Sequence, residues 1–344
     1  MTDRYAHTVG FVVAGVGLAA TFLDWPADAA LASTAATAFA VVAVAAFAAR
    51  RHGVDVPALD YGAAAGGIGL LLAATVGVVA VTGPLPRGPP IALLAGLSTV
   101  GVAVAGIAGL DADAVHGRER GLAVAVAVSV GALLFGSLLS GVALGFLPTD
   151  PLLTVPTNTA VASVGYAIAG VAFVRWYDGG IDVSRPSKRD AVVAGVGVVA
   201  ILALHYAMVG VVVFFDLPQT SHGLVETARE HPGILPPLVL LSFLAIGPGE
   251  ELLARNGVQK YLYGAYSRRG AVVVGCLVFT GAHLLAYAGS GATPGGVLVT
   301  LARLFVVSLV LGVTYERTDD LFAPVFVHGA YDAIQFALAY VAFT

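Results

Sequence analysis

Residues 235–255 read LPPLVLLSFLAIGPGEELLAR, an apolar run that closes on two glutamates and, four positions after the second, an arginine. A stretch of this length is close to the roughly 20 residues that carry a helix across about 30 Å of hydrocarbon. It is one of eleven such runs. The others cover approximately Thr8–Leu23, Ala29–Ala49, Tyr61–Thr82, Ile91–Leu110, Gly121–Phe146, Asn158–Val174, Ala191–Phe215, Gly270–Tyr287, Gly296–Tyr315 and Leu321–Phe343. Hydrophobic residues make up 58% of the 344-residue chain and charged ones only 11%, and mean hydropathy is +0.90. This composition excludes an ordinary water-soluble domain. The expected fold is all-α, a polytopic transmembrane helical bundle of about eleven spans. The first apolar run lacks a small-residue cleavage site and is read as a retained helix.

With alternating spans only two orientations are possible, and basic residues should mark the cytoplasmic loops. Of the 17 Lys and Arg, Arg87 and Arg229 fall on one side, Arg303 lies inside the tenth span, and the remaining fourteen share the other side. The N-terminus is therefore expected to be cytoplasmic in a multi-pass cell-membrane protein. Seventeen basic residues against a net charge of -4 give no polybasic surface, so the lipid bilayer is an expected partner and nucleic acid is not. The single cysteine, Cys276, excludes an internal disulfide and a multi-thiolate zinc site. Forty-three glycines and many alanines suit close helix packing in lipid.

An ionisable side chain at the bilayer centre costs about 2.5–3.5 kcal/mol on insertion scales, so its position is informative. The first six expected spans have none between their ends, and the seventh has only His205. The last four carry Glu250, Glu251, Arg255, His283, Arg303, His328 and Asp332. Glu251 and Arg255 have the favourable acid-first i,i+4 spacing of a helical ion pair. Glu250 points about 100° away, so one carboxylate can be neutralised by Arg255 while its neighbour faces a cavity. His328 and Asp332 share a helical face, and Phe279 lies one turn from His283. His205 and Arg303 have no partner that the sequence names and are read as packing or snorkelling residues. With the eighth helix ending at Arg255, a ninth starting at Gly270 would carry His283 about 20 Å along its axis, deeper than Glu250.

The ordered segments Glu250-Glu251-Leu252-Leu253-Ala254-Arg255, Phe279-Thr280-Gly281-Ala282-His283 and His328-Gly329-Ala330-Tyr331-Asp332 resemble the EExxxR, FxxxH and HxxxN/D motifs of the CPBP family. These are the CAAX-prenyl protease and bacteriocin-processing membrane proteins, also called Abi. The resemblance covers about Leu235–Phe343. It implies an intramembrane endopeptidase core in residues 181–344, behind a variable N-terminal region of about six spans in residues 1–180. It also implies roles: Glu250 as general base, His283 as its water-orienting or proton-transfer partner, and His328 as an oxyanion stabiliser. Glu251 with Arg255 would be a supporting pair, and Phe279 would pack against the site. Asp332 stands where the family pattern commonly has Asn. An ionised Asp there would repel an oxyanion, so it is expected to be protonated, paired with His328, or accepting a hydrogen bond.

The expected substrate is a membrane-associated peptide or protein, with no cofactor. Glu, two His and Asp are also a plausible zinc ligand set, although no HExxH motif occurs. Gly289-Ser290-Gly291 does not form a rhomboid-like nucleophile motif, and Tyr331-Asp332 has no GxGD companion for an aspartyl site. Confinement of the polar residues to one third argues against a transporter. A non-catalytic membrane scaffold or regulator of protease descent remains the alternative function.

Overall fold

In hydrocarbon every backbone N–H and C=O must find a partner within the chain, which leaves helices as the solution for apolar segments of this length. The structure, a computed structural model, describes residues 4–81, 83–221, 223–288 and 292–344. Among these residues there is no strand. The helices are α1 (Tyr5–Ala20), α2 (Ala30–Arg51), α3 (Ala58–Val79), α4 (Gly88–Ile107), α5 (Ala112–Leu144), α6 (Pro151–Trp176) and α7 (Lys188–Phe214). A short α8 (Gly223–Glu230) precedes α9 (Pro232–Leu262), followed by α10 (Arg268–Ala282), α11 (Leu284–Tyr287), α12 (Pro294–Thr318) and α13 (Phe322–Phe343). Among the described residues, nine helices are long and apolar enough to cross a membrane. Adding the shorter α1 and α10 recovers each of the eleven apolar runs, and the chain is a multi-pass membrane protein.

Three boundaries differ in ways that matter. The eighth run does not stop at Arg255; α9 continues to Leu262 over 31 residues, which puts Glu250 inside the helix. α1 and α3 begin earlier than expected, so His7 and Asp60 fall within helices. Asp60 is buried and holds Arg50 Nη2 at 3.1 Å and His7 Nε2 at 3.3 Å. Gly289, Ser290 and Gly291, as well as Thr82 at the expected end of the third run, lie outside the described residues.

The chain divides into two compact units. The first comprises Met1–Glu119, Leu217–Gln219 and Ala292–Val299. Its core is built from small residues, Ala14, Ala43, Ala63, Ala74 and Ala103 among them, around Phe47 and Leu70. Backbone contact replaces side-chain interdigitation: a Cβ on Gly66 would lie 2.8 Å from Phe39 O, and one on Gly96 would lie 2.8 Å from Leu71 N.

The second unit comprises Arg120–Asp216, Thr220–Gly291 and Thr300–Thr344 and holds the polar residues described below. Local signals start its helices: Asp150 caps α6 ahead of Pro151, Ser187 and Asp190 form a capping box on α7, and Ser267 caps α10. α9 packs against α6 and α13 through glycine. A Cβ on Gly249 would lie 2.3 Å from Ser163 O, and one on Gly247 would lie 3.0 Å from Val325 O. Both obstacles are backbone and cannot rotate aside. Gly249→Ala is therefore expected to cost about 1–3 kcal/mol through overpacking, read as a lower melting temperature in detergent. An unchanged melting temperature would mean that α6 retreats freely.

Candidate active site

Pro248 has no N–H to donate and its ring crowds the preceding turn. α9 absorbs this with a wide π-helical turn at Ser242–Ile246, returns to α-helix for Gly247–Glu251, and widens again over Leu252–Gln259. Such turns inside α-helices recur at functional sites. Glu250 and Glu251 thus sit on a short regular segment between two widened ones, near the middle of the long helix.

The two carboxylates have separate environments. Glu251 and Arg255 are fully buried, with Arg255 Nε donating to Glu251 Oε2 at 3.0 Å. Arg255 also donates through Nη2 to Ser308 Oγ at 3.0 Å, contacts Cys276 Sγ at 3.5 Å through Nη1, and lies 5.3 Å from the Phe279 ring centroid. The other oxygen of Glu251 meets His328 Nδ1 at 2.8 Å, and His328 Nε2 is 3.4 Å from Asp332 Oδ2. An imidazole with a carboxylate acceptor at each nitrogen serves both only when both nitrogens carry hydrogen. Glu251, Asp332, Arg255 and His328 then form a charge-balanced row.

Glu250 lies outside that row. Its Oε2 is 3.8 Å from His283 Nε2, and the two side chains are 17% and 24% exposed, against 0% for Glu251. The opposite nitrogen, His283 Nδ1, is 2.8 Å from the Phe279 carbonyl oxygen and can donate only to it, which turns Nε2 toward Glu250. The Phe279 ring stacks on the imidazole at 4.4 Å between centroids. His283 and His328 both act electrostatically on Glu250. Glu250 and His283 open onto a cavity of about 400 Å³, lined also by Ser129 and Ser137 of α5, Tyr166 of α6, and Val258 and Phe279. Among the described residues no group of three or more His, Cys, Asp or Glu is arranged to hold a metal ion.

Glu250, Glu251, Arg255, Phe279, His283, His328 and Asp332 are therefore brought together from α9, from α10 with the residue that joins it to α11, and from α13. The depth conflict in the sequence reading disappears for a geometric reason. With α9 running to Leu262, Glu250 is about 18 Å from that end, while His283 is about 22 Å along from Arg268. The two arrive at similar levels.

Several participants have no sequence signal beyond being polar in an apolar run. Ser308 and Cys276 complete the Arg255 cradle, and Cys276 in turn donates to Ser308 O at 3.2 Å. His205 has a partner after all, Tyr331, whose hydroxyl lies 2.9 Å from Nδ1. Asn256, directly after Arg255, ties the 178–187 loop to the site. Its Nδ2 donates to Gly180 O at 3.1 Å and Asp182 Oδ2 at 3.2 Å, while Asp182 also takes Lys260 Nζ at 2.6 Å and the Tyr315 hydroxyl at 2.5 Å.

Residues 232–334 match the family described as Rce1-like, type II CAAX prenyl endopeptidase. That span contains all seven residues gathered here and agrees with the family resemblance of the three motifs. No curated protein and no solved structure matches the chain.

Proposed function

We propose that this C-terminal region, of the CAAX-protease type, is a membrane endopeptidase in which Glu250 and His283 activate a water for attack on a peptide carbonyl. The observation that carries the reading is the Glu250–His283 pair, 3.8 Å apart at a cavity of about 400 Å³. That separation is too long for a direct hydrogen bond and suits a bridging water. Binding clefts are commonly of this volume and mostly apolar, with a few convergent polar groups.

In the proposed reaction Glu250 takes a proton from the water as its oxygen bonds to the carbonyl carbon. The carbonyl electron pair moves onto oxygen, giving a tetrahedral oxyanion. His283 holds the water's orientation through the Phe279 carbonyl. His328 is the candidate oxyanion donor: its Nε2 contact to Asp332 is the longer of its two contacts, while Glu251 holds the ring at the other nitrogen. Asp332 in this scheme orients His328 and does not touch the oxyanion. Collapse of the intermediate breaks the C–N bond, and the proton on Glu250 passes to the departing amine. The substrate class is a membrane-associated peptide carrying a prenyl chain, approached from the cytoplasmic side where the basic loops lie.

The second reading, a non-catalytic scaffold, draws on Asp332 at the Asn position. The two separate on purified protein incubated in H₂¹⁸O with a prenylated peptide. Hydrolysis puts one ¹⁸O into the new carboxylate, detected by mass spectrometry, and absence of any product would favour the scaffold. Metal removal addresses the chemistry: 1,10-phenanthroline and EDTA are expected to leave the rate within about twofold. Loss of activity that returns with zinc would instead assign the carboxylate and imidazoles to a metal.

A further inference from the structure

Among the described residues, Tyr166 of α6 is the one phenol that lines the cavity of Glu250 and His283. The residue is half-buried, and its hydroxyl forms no hydrogen bond within the described residues. A tyrosine hydroxyl held away from bulk water commonly finds a partner, so this one is a donor without its acceptor. Packing accounts for the ring and not for the hydroxyl. A Cβ on Gly136 would lie 2.6 Å from Tyr166 Cε1, and one on Gly165 would lie 2.8 Å from Gly136 Cα. α5 and α6 thus touch through glycine, and the phenol ring occupies the space that Gly136 leaves.

Two backbone contacts fix its place relative to Glu250. Ser163 O faces Gly249, and a Cβ on Gly170 would lie 3.1 Å from Leu253 Cα. Residue numbers rise together across these contacts, so α6 and α9 run in the same direction. Tyr166 stands about 4.5 Å beyond Ser163 and Glu250 about 1.5 Å beyond Gly249, which leaves the two within one turn of each other in height. Direction follows from the regular segment Gly247–Glu251. Gly247 faces α13, and Gly249, about 200° around the helix, faces α6. Glu250, about 100° further on, therefore points into the gap between those two helices. His328 belongs to the α13 wall of that gap and Tyr166 to the α6 wall, and Glu250 is coupled electrostatically to both.

We infer that the Tyr166 hydroxyl is a further catalytic donor, hydrogen-bonding the tetrahedral oxyanion from the α6 side. This rests on the peptidase reading and deepens it. On the α13 side donors are few: an ionised Asp332 has no hydrogen to give, and both nitrogens of His328 already face carboxylates. Within the cavity a phenol is a stronger donor than the alkyl hydroxyls of Ser129 and Ser137. As water passes its proton to Glu250 and its oxygen bonds to the carbonyl carbon, negative charge leaves the carboxylate and appears on the carbonyl oxygen. Tyr166 keeps its own proton throughout. Its hydroxyl gains an acceptor only as that oxygen becomes anionic, which confines the stabilisation to the transition state and the intermediate.

The test uses the full chain in neutral detergent and a fluorescent peptide ending in S-farnesylcysteine and three apolar residues. Tyr166→Phe keeps the ring against Gly136 and removes one oxygen. It is expected to lower kcat by about 10²–10³-fold, the effect of deleting one oxyanion donor, with KM within about twofold and the melting temperature within about two degrees. Replacing Tyr166 by 3-fluorotyrosine, which keeps the hydroxyl and makes it a stronger acid, should hold kcat near wild type. A peptide whose scissile carbonyl is a hydrated trifluoromethyl ketone mimics the tetrahedral state, and Tyr166→Phe should bind it at least about tenfold more weakly than wild type does. The acid limb of the pH dependence of kcat/KM should stay in place, because Glu250 remains the base. A Tyr166→Phe protein that keeps more than about a third of wild-type kcat would overturn the inference and leave the peptidase reading standing. So would an acid limb displaced by about one pH unit, since the hydroxyl would then serve Glu250 and not the oxyanion. A lowered melting temperature with unchanged affinity for the ketone would make Tyr166 a packing residue. Absence of cleavage by wild type would remove the peptidase reading and the inference with it.

Discussion

Glu250→Gln is expected to abolish cleavage of a prenylated peptide, lowering kcat by at least about 10³-fold, while the melting temperature stays within about two degrees of wild type. The large kinetic effect follows from removing the one carboxylate that, among the described residues, lines the cavity, since positioned general bases contribute about 10²–10⁴-fold. The small stability effect follows from the same geometry. Glu250 is partly exposed and lies outside the Arg255 cradle, so an amide of the same shape strands no buried partner. Single-turnover rates with fluorescence-detected size-exclusion chromatography measure both quantities. A variant that keeps more than about a tenth of wild-type kcat removes Glu250 as the base.

The adjacent carboxylate predicts the opposite pattern. Arg255→Met should destabilise the protein by about 3–5 kcal/mol, because it leaves Glu251 charged, fully buried and without its guanidinium partner. Little folded protein should be recovered in detergent, so lost activity would follow lost structure. Arg255→Lys should not rescue fully, since an ammonium cannot serve Glu251 and Ser308 together while lying flat against Phe279. Combining Arg255→Met with Glu251→Gln should recover part of the stability, because the stranded charge is gone. Thermal unfolding followed by scattering compares the four proteins. Wild-type melting of Arg255→Met would show that Glu251 finds water in place of the guanidinium. Glu250 and Glu251, adjacent in sequence, would thus be separated by experiment into a kinetic residue and a structural one.

The different surroundings of these neighbours are legible in the sequence, because helical geometry alone separates their directions by about 100° and gives Arg255 to the second. The eleven apolar runs were likewise legible, since hydrocarbon allows few alternatives to a helix of fixed length. Helix ends were less so. Charge commonly marks an interface, which puts the end of the eighth span at Arg255, yet Arg255, Asn256 and Gln259 are all buried and hydrogen-bonded to Ser308, Tyr315 and Gly312 respectively. Periodicity carries no information about such partners, which come from helices some 50 residues away. His205 was read as bland for the same reason: Tyr331, which meets it, is 126 residues distant.

The widened turns of α9 bear on how this protein tolerates change. A wide turn holds one residue more than the regular turn it replaces, so the surplus is absorbed locally and the flanking halves keep their phase. Deleting a single residue between Leu252 and Gln259 would therefore let the stretch close to regular α-helix with the carboxylates still facing α10 and α13, whereas a deletion in a regular segment would turn one half against the other by about 100°. Loss of one amino acid should thus be better tolerated in the widened stretch than in the regular turns beside it.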